Sequence, residues 1–134
     1  VLETINDIRT GNEKVITVVG CGGDRDATKR PKMAHIASQL STQAIFTSDN
    51  PRSENPQTIL DEMEDGVSPE NYRKTLTVLD RRQAIKTACK LSETGDIILI
   101  AGKGHENYQE VNGVRSHFDD LEEVTNCFNQ LKKN

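Results

Sequence analysis

Apolar positions along the chain alternate between short runs and helical stripes. Four short runs have the length and β-branched content of buried strands. They span residues 14–20, 43–48, 74–79 and 96–101. The stretches between them carry apolar residues every three or four positions, which predicts helices from about residue 31, over 56–64 and over 81–92. Strands alternating with helices predict an α/β fold, a Rossmann-like, mostly parallel sheet with helices on both faces.

Further elements are predicted at the two ends of this pattern. Residues 1–9 form a helical stripe that begins without a cap, so we expect the natural chain to extend upstream. Asn112-Gly113, between two strand-like runs in residues 108–118, is a type I′ hairpin signal and predicts an antiparallel edge. Asp119 and Asp120 open a last helix. The residues expected to face inward, helix by helix, are Met33, Ile36, Ala37 and Leu40; Ile59, Leu60 and Met63; Ala84, Ile85, Ala88 and Leu91; and Leu121, Val124, Phe128 and Leu131.

Size, charge and cysteine usage narrow the class of protein. The 134 residues are expected to form one domain, residues 1–134. A net charge of −4 with scattered Lys and Arg argues against nucleic acid as a partner. The sequence has neither a long apolar span nor the layout of a signal peptide, which favours a cytoplasmic protein without a membrane partner. Cys21, Cys89 and Cys127 lack the spacing of a metal or redox motif, so we expect reduced thiols.

The strand-to-helix loop at residues 49–52, here called the second loop, combines an acid, an amide and a guanidinium. It follows a predicted parallel strand, and the carboxyl ends of such strands form the crevice where open α/β sheets bind ligands. Pro51 restricts its own backbone and that of Asn50, which stiffens the loop. The loop therefore favours recognition of a small zwitterion. The alternative is an ordinary Asx-Pro turn with Arg52 solvated.

The first loop, residues 20–26, resembles a dinucleotide-binding turn only superficially. The G-x-G-x-x-G spacing fails at Arg25, and no Gly-Lys-Ser/Thr follows that would make a phosphate loop. Its glycines allow a tight turn that brings Asp24, Arg25 and Asp26 to the sheet edge, although a solvated charged turn is the alternative. Lys29 and Arg30 lie at a helix start, where cations are disfavoured, so an anion is expected nearby.

The third loop, residues 102–106, follows the most apolar strand. Its two glycines permit close backbone approach, and Glu106 can accept hydrogen bonds from an ammonium group. His105 has no second His or Cys at ligand spacing, so we expect a structural role for it and no metal site. Together the three loops carry guanidiniums and carboxylates that suit a substrate with carboxylate and ammonium groups at both ends.

These loops also carry a family resemblance. The strings GCGGDRD with KRP, TSDNPR, DRRQAI, AGKGHE with NY, and HFDD, in this order, resemble the C-terminal domain of the Mur ligases over residues 14–120. Within that family they are similar to the MurE type, which adds meso-diaminopimelate during peptidoglycan synthesis. The resemblance implies that meso-diaminopimelate is bound by Arg25, Asp49, Asn50, Pro51, Arg52, Gly102 and Glu106. It implies more weakly that Asp24 and Lys29 lie near a nucleotide.

The resemblance further implies an ATP-dependent ligase that joins meso-diaminopimelate to UDP-N-acetylmuramoyl-L-alanyl-D-glutamate through an acyl phosphate. In that family ATP, Mg²⁺ and the UDP-linked substrate are bound mainly by other domains, which are absent from this chain. The implied role here is to hold the incoming amine, so no catalytic residue is expected and the chain alone should be inactive.

Two alternatives to this function remain open at this stage. One is a ligase for another diamino acid, against which Arg52 argues because lysine lacks the distal carboxylate that Arg52 would pair with. The other is a non-catalytic Rossmann-like module that senses a small anion or amino acid. A phosphate loop upstream of residue 1 would favour the ligase.

Overall fold

The computed structural model describes residues 13–23, 26–93, 95–101, 108–111 and 114–133. The predicted helix over residues 1–9 and the Asn112-Gly113 turn lie outside the described residues. None of the described helices combines the length and the apolar character that crossing a membrane requires.

Four strands form a parallel sheet in the order β3-β2-β1-β4. They are β1 (Val15–Cys21), β2 (Gln43–Ser48), β3 (Thr75–Thr77) and β4 (Ile97–Ala101). The register places Cys21 beside Ser48, and Val19 beside Ala101. The ends of the three longer strands therefore meet at one edge of the sheet, and the predicted parallel sheet is confirmed.

In the described ranges, four α-helices accompany these strands. They are α1 (Lys29–Leu40), α2 (Pro56–Glu64), α3 (Arg81–Leu91) and α4 (Asp120–Lys133). Asp80 caps α3, because its carboxylate accepts hydrogen bonds from the amides of Arg82 and Gln83. A 3₁₀ helix, Pro69–Lys74, precedes β3, which is shorter than the strand expected over residues 74–79.

Side chains of β1 alternate between two hydrophobic clusters, one on each face of the sheet. Val15 and Val19 pack in the cluster that also contains residues of α1 and α2. Ile16 and Val18 pack in the cluster that contains residues of α3 and α4. Helices on both faces are thus confirmed.

Four expected core positions are wrong. Ile36, Leu91, Leu121 and Phe128 are between 39% and 75% exposed. The helix α2 buries the three residues expected of it, and α3 buries all of its expected residues except Leu91. On α1 and α4 the buried face differs from the predicted apolar stripe. On α1 the buried residues are Arg30, Ala34, Ala37 and Ser38, and on α4 Cys127 is buried. The Leu131 side chain lies outside the described residues.

The hairpin is present, but it does not add an antiparallel edge to the four-stranded sheet as expected. Its strands, β5 (Tyr108–Val111) and β6 (Val114–His117), pair antiparallel and form a separate two-stranded sheet in the described part of the chain. Gln109 explains the difference, because its side-chain amide donates to Ser48 Oγ and to the Asp49 carbonyl. These bonds hold the hairpin over the end of β2.

Candidate functional site

The first and second loops are joined by backbone contacts at the carboxyl edge of the sheet. The Gly23 amide donates to the Asn50 carbonyl at 2.7 Å, and Arg52 Nη1 donates to the Gly23 carbonyl at 3.0 Å. A Cβ on Gly23 would lie 1.8 Å from the Pro51 carbonyl oxygen. Only glycine allows this approach, so the two loops behave as one unit.

The second loop is mostly buried. Asp49 is 4% exposed, Asn50 is fully buried, and Pro51 is buried as well. Arg52 is half-buried, and its Nη1 also donates to the Asn50 carbonyl at 3.3 Å. Arg52 is therefore not the solvated side chain of an ordinary turn.

Arg52 also has an unusual backbone conformation. Its φ is +53°, the only positive φ of a non-glycine residue among those described. A side chain with a Cβ pays about 1–2 kcal/mol in this left-handed region. Such strain concentrates at functional sites, where the surrounding structure holds the residue in place.

The structure brings together the four expected site residues of the second loop. Asp24 and Arg25 of the first loop, and Gly102, His105 and Glu106 of the third loop, lie outside the described residues. Their expected proximity to the second loop therefore stays a prediction. What the described geometry offers chemically is a fixed guanidinium beside backbone carbonyls, an arrangement suited to binding and orienting an anionic group.

The anion expected near Lys29 and Arg30 is supplied by the protein. Arg30 is 2% exposed and donates to Glu54, to Glu62 and to the Gly22 carbonyl. Hydrogen bonds to these two carboxylates raise the pKa of the Arg30 guanidinium. Arg30 thus links α1 to α2 and to the first loop, and the conflict with the helix dipole is resolved locally.

Lys29, one of the two residues that the resemblance places near a nucleotide, is exposed. It lines a cleft of about 280 Å³ together with Asp26 and Cys21. Hydrogen bonds from the hydroxyl and the amide of Thr28 lower the pKa of Asp26. Burial raises the pKa of the Cys21 thiol to about 11, so this thiol is protonated at neutral pH and is a poor nucleophile.

Sequence reasoning missed the role of Arg81. This side chain is buried beneath the three strand ends and pairs with Asp120 through two hydrogen bonds of 2.8 Å each. Its Nη1 donates to the Ser48 carbonyl at 3.1 Å, and its Nη2 donates to the Ala101 carbonyl at 3.3 Å. The available signal was the cation at a helix start, the same signal that was noted for Lys29 and Arg30.

A second, larger cleft of about 520 Å³ lies beside the second loop. Residues from β2, the second loop and the hairpin line it, among them Ser48, Pro51, Gln109 and His117, and Leu79 before α3 lines it as well. His117 Nε2 donates a 2.7 Å hydrogen bond to the Glu122 carboxylate, which raises the pKa of the histidine. Among the described residues, no three His, Cys, Asp or Glu side chains are grouped so as to hold a metal ion.

Comparisons with known proteins agree on one family. Residues 1–104 match the family model described as Mur ligase, glutamate ligase domain. The chain is 62% identical over 120 residues to a protein of Cytophaga hutchinsonii named UDP-N-acetylmuramoyl-L-alanyl-D-glutamate--2,6-diaminopimelate ligase. It is 55% identical over 129 residues to a Bacteroides thetaiotaomicron protein of the same name.

A solved structure titled as a ligase of that name matches with a TM-score of 0.89 and 44% identity. This match covers 98% of the chain and 26% of the solved chain. The Cytophaga match covers 90% of the chain and 24% of the relative, and the Bacteroides match covers 96% and 27%. The chain thus spans about a quarter of the length of these relatives. Family model, sequence relatives and fold together show that the chain belongs to the Mur ligase family, in its glutamate ligase domain.

Proposed function

We propose that this chain is the part of an ATP-dependent ligase that binds and positions meso-diaminopimelate for peptidoglycan synthesis. The observation that carries the proposal is Arg52, whose strained backbone and two carbonyl contacts fix a guanidinium in the second loop. The relatives named above are diaminopimelate ligases, which supports this choice of amino acid.

The chemistry of Arg52 supports meso-diaminopimelate over lysine. A guanidinium can pair with a carboxylate through two parallel hydrogen bonds, and meso-diaminopimelate has a distal carboxylate that lysine lacks. With lysine bound, Arg52 would be desolvated without that carboxylate. Sites of this kind reject the analogue by about 10⁴-fold or more.

The remaining contacts of the pocket are part of the same proposal. The Gly102 carbonyl and the Glu106 carboxylate accept hydrogen bonds from the distal ammonium, and Arg25 pairs with a carboxylate of the amino acid. Buried Asp49, Asn50 and Pro51 contribute through the shape and stiffness of the second loop. In the proposed enzyme, Asp24 and Lys29 would lie near the bound nucleotide.

The whole enzyme would join the amino group of meso-diaminopimelate to UDP-N-acetylmuramoyl-L-alanyl-D-glutamate. ATP and Mg²⁺ supply the activation of the carboxylate, and the three quarters of the relatives' length that this chain does not span would bind them together with the UDP-linked substrate. The 134 residues would then be a single amino-acid-binding domain, working in the cytoplasm. Its contribution to the rate is proximity, since it holds the amine in line with the activated carboxylate.

Calorimetric titration tests the binding step on the chain itself. Wild type and Arg52→Ala are each titrated with meso-diaminopimelate and with L-lysine. We expect binding of meso-diaminopimelate to the wild type alone. Equal binding of both ligands, or full binding by Arg52→Ala, would contradict the role of Arg52, and binding of simple anions with no amino-acid preference would favour a sensing module.

A chimaera tests the ligase step. The matched segment of the Cytophaga hutchinsonii relative is replaced by this chain, and ADP release is followed with each amino acid. We expect activity with meso-diaminopimelate, little with L-lysine, and none from the chain alone. ATP turnover by the chain alone would contradict the proposed division of labour.

A further inference from the structure

We propose that Arg81, held by Asp120, is a positioning residue for the amino-acid site. The inference rests on the proposed function, because it concerns the same three loops. Arg81 lies on α3 and belongs to none of these loops, so it would act on the substrate only through them.

The contacts of Arg81 reach the starting point of each loop. Its Nη1 bonds the carbonyl of Ser48, the residue before the second loop, and its Nη2 bonds the carbonyl of Ala101, the residue before the third loop. At Gly20, where the first loop begins, an added Cβ would lie 3.0 Å from Arg81 Nη1. One guanidinium thus contacts or closely approaches all three strand ends.

Asp120 fixes the orientation of this guanidinium. It accepts from Nε and Nη2, which leaves the plane of the group no freedom to rotate without breaking a bond. The Arg81 side chain is fully buried, whereas Asp120 at the start of α4 is 22% exposed. A lysine could keep the charge but could not make these four bonds at once.

The strand ends from which the three loops start are therefore held by the Arg81 guanidinium. Gln109 adds to the same arrangement, because it donates to the Asp49 carbonyl one residue beyond Ser48. A displacement of about 1 Å in a group that orients a substrate can cost on the order of 10²-fold in rate. Arg81 would then set the affinity for the amino acid without touching it.

The test compares Arg81→Lys with Arg82→Lys, the same substitution one residue along α3. Arg82 is a matched control because its side chain is 53% exposed and it pairs with Glu123. In the chimaera, we expect Arg81→Lys to raise the KM for meso-diaminopimelate by about tenfold or more, with the KM for ATP changed less than about twofold. Arg82→Lys should match the wild type.

Hydrogen exchange on the 134-residue chain gives a second readout that needs no ligand. In Arg81→Lys the amides of Gly23 and Glu54, which bond within and between the loops, should exchange at least about tenfold faster relative to the Val18 amide of β1. If Arg81→Lys does not fold, Asp120→Asn, which keeps Arg81 but weakens its anchor, is measured in both ways.

The outcomes separate this inference from the proposed function. If the wild-type chimaera does not use meso-diaminopimelate, the proposed function fails. If it does, and folded Arg81→Lys keeps the wild-type KM and loop exchange, the positioning role is overturned. A parallel rise in every KM and in exchange of the β1 core would show a merely structural residue and would overturn it too.

Discussion

Two buried arginines lie near the carboxyl edge of the sheet, one on each face, and they are held differently. Arg81 donates hydrogen bonds to both oxygens of one carboxylate and to two strand-end carbonyls. Arg30 is divided between Glu54 and Glu62, which are 32% and 40% exposed, and its Nε has no hydrogen-bond partner within the described ranges. Arg81 thus joins the ends of two strands to Asp120 of α4, whereas Arg30 joins α1 to α2 and reaches the first loop only at the Gly22 carbonyl.

The largest loss in the free energy of unfolding is expected for Arg81→Met. Removing this cation leaves Asp120 and two carbonyls without their partner, and breaking a buried pair in this way costs about 3–5 kcal/mol. Urea denaturation measures the free energy of unfolding. Arg82→Met is the control and should cost less than about 1 kcal/mol, because the Arg82 side chain is 53% exposed. Equal losses in the two variants would remove the distinction between them.

Arg30→Met should cost less, about 2 kcal/mol, because water can reach Glu54 and Glu62 when the guanidinium is gone. The same urea denaturation measures the loss. A loss at Arg30 as large as that at Arg81 would show that fastening helices matters as much as joining strand ends.

Gly23→Ala and Gly66→Ala separate the loops from the rest of the fold. Each added Cβ meets a backbone carbonyl, that of Pro51 at 1.8 Å or that of Pro31 at 1.9 Å, so both variants should lose about 1–3 kcal/mol. Titration with meso-diaminopimelate should then show weakened binding for Gly23→Ala alone, since only Gly23 contacts the second loop. Equal binding by the two variants would argue against the joined loops as the site.

Arg52→Gly should be more stable than Arg52→Ala by about 1 kcal/mol, because glycine adopts the positive φ at no steric cost. Thermal unfolding measures this difference, and neither variant should bind meso-diaminopimelate. A less stable glycine variant would mean that the backbone at position 52 relaxes when the arginine side chain is removed.

The smallest effect is expected from the exposed pair of His117 and Glu122, which lies near the buried pair of Arg81 and Asp120. The hydrogen bond to Glu122 raises the pKa of His117 in the folded state. The pair's contribution to stability is therefore complete below the unfolded pKa of about 6.5 and is lost as the pH rises through the higher folded value. Unfolding followed against pH in wild type and His117→Gln measures it, and the two curves should differ only at the acidic end.

The sequence by itself determined the order of the elements, because strand and helix periodicities are local properties of the chain. The parallel sheet and α2 over Pro56–Glu64 were both predictable in this way. The location of the second loop at the end of a parallel strand was predictable too, and its role as a ligand site stays a prediction. The family resemblance rested on the same local strings.

Tertiary structure alone decided what the polar residues do with one another. Arg81 and Asp120 are 39 positions apart, and Arg30 and Glu62 are 32 apart, so no local pattern links them. The buried faces of α1 and α4 also escaped prediction at Ile36 and Leu121. A helical stripe shows that a face is apolar, but which side meets the sheet depends on how closely the whole helix can pack. Hydrogen bonds between strand ends likewise exist only once the sheet has brought those ends together.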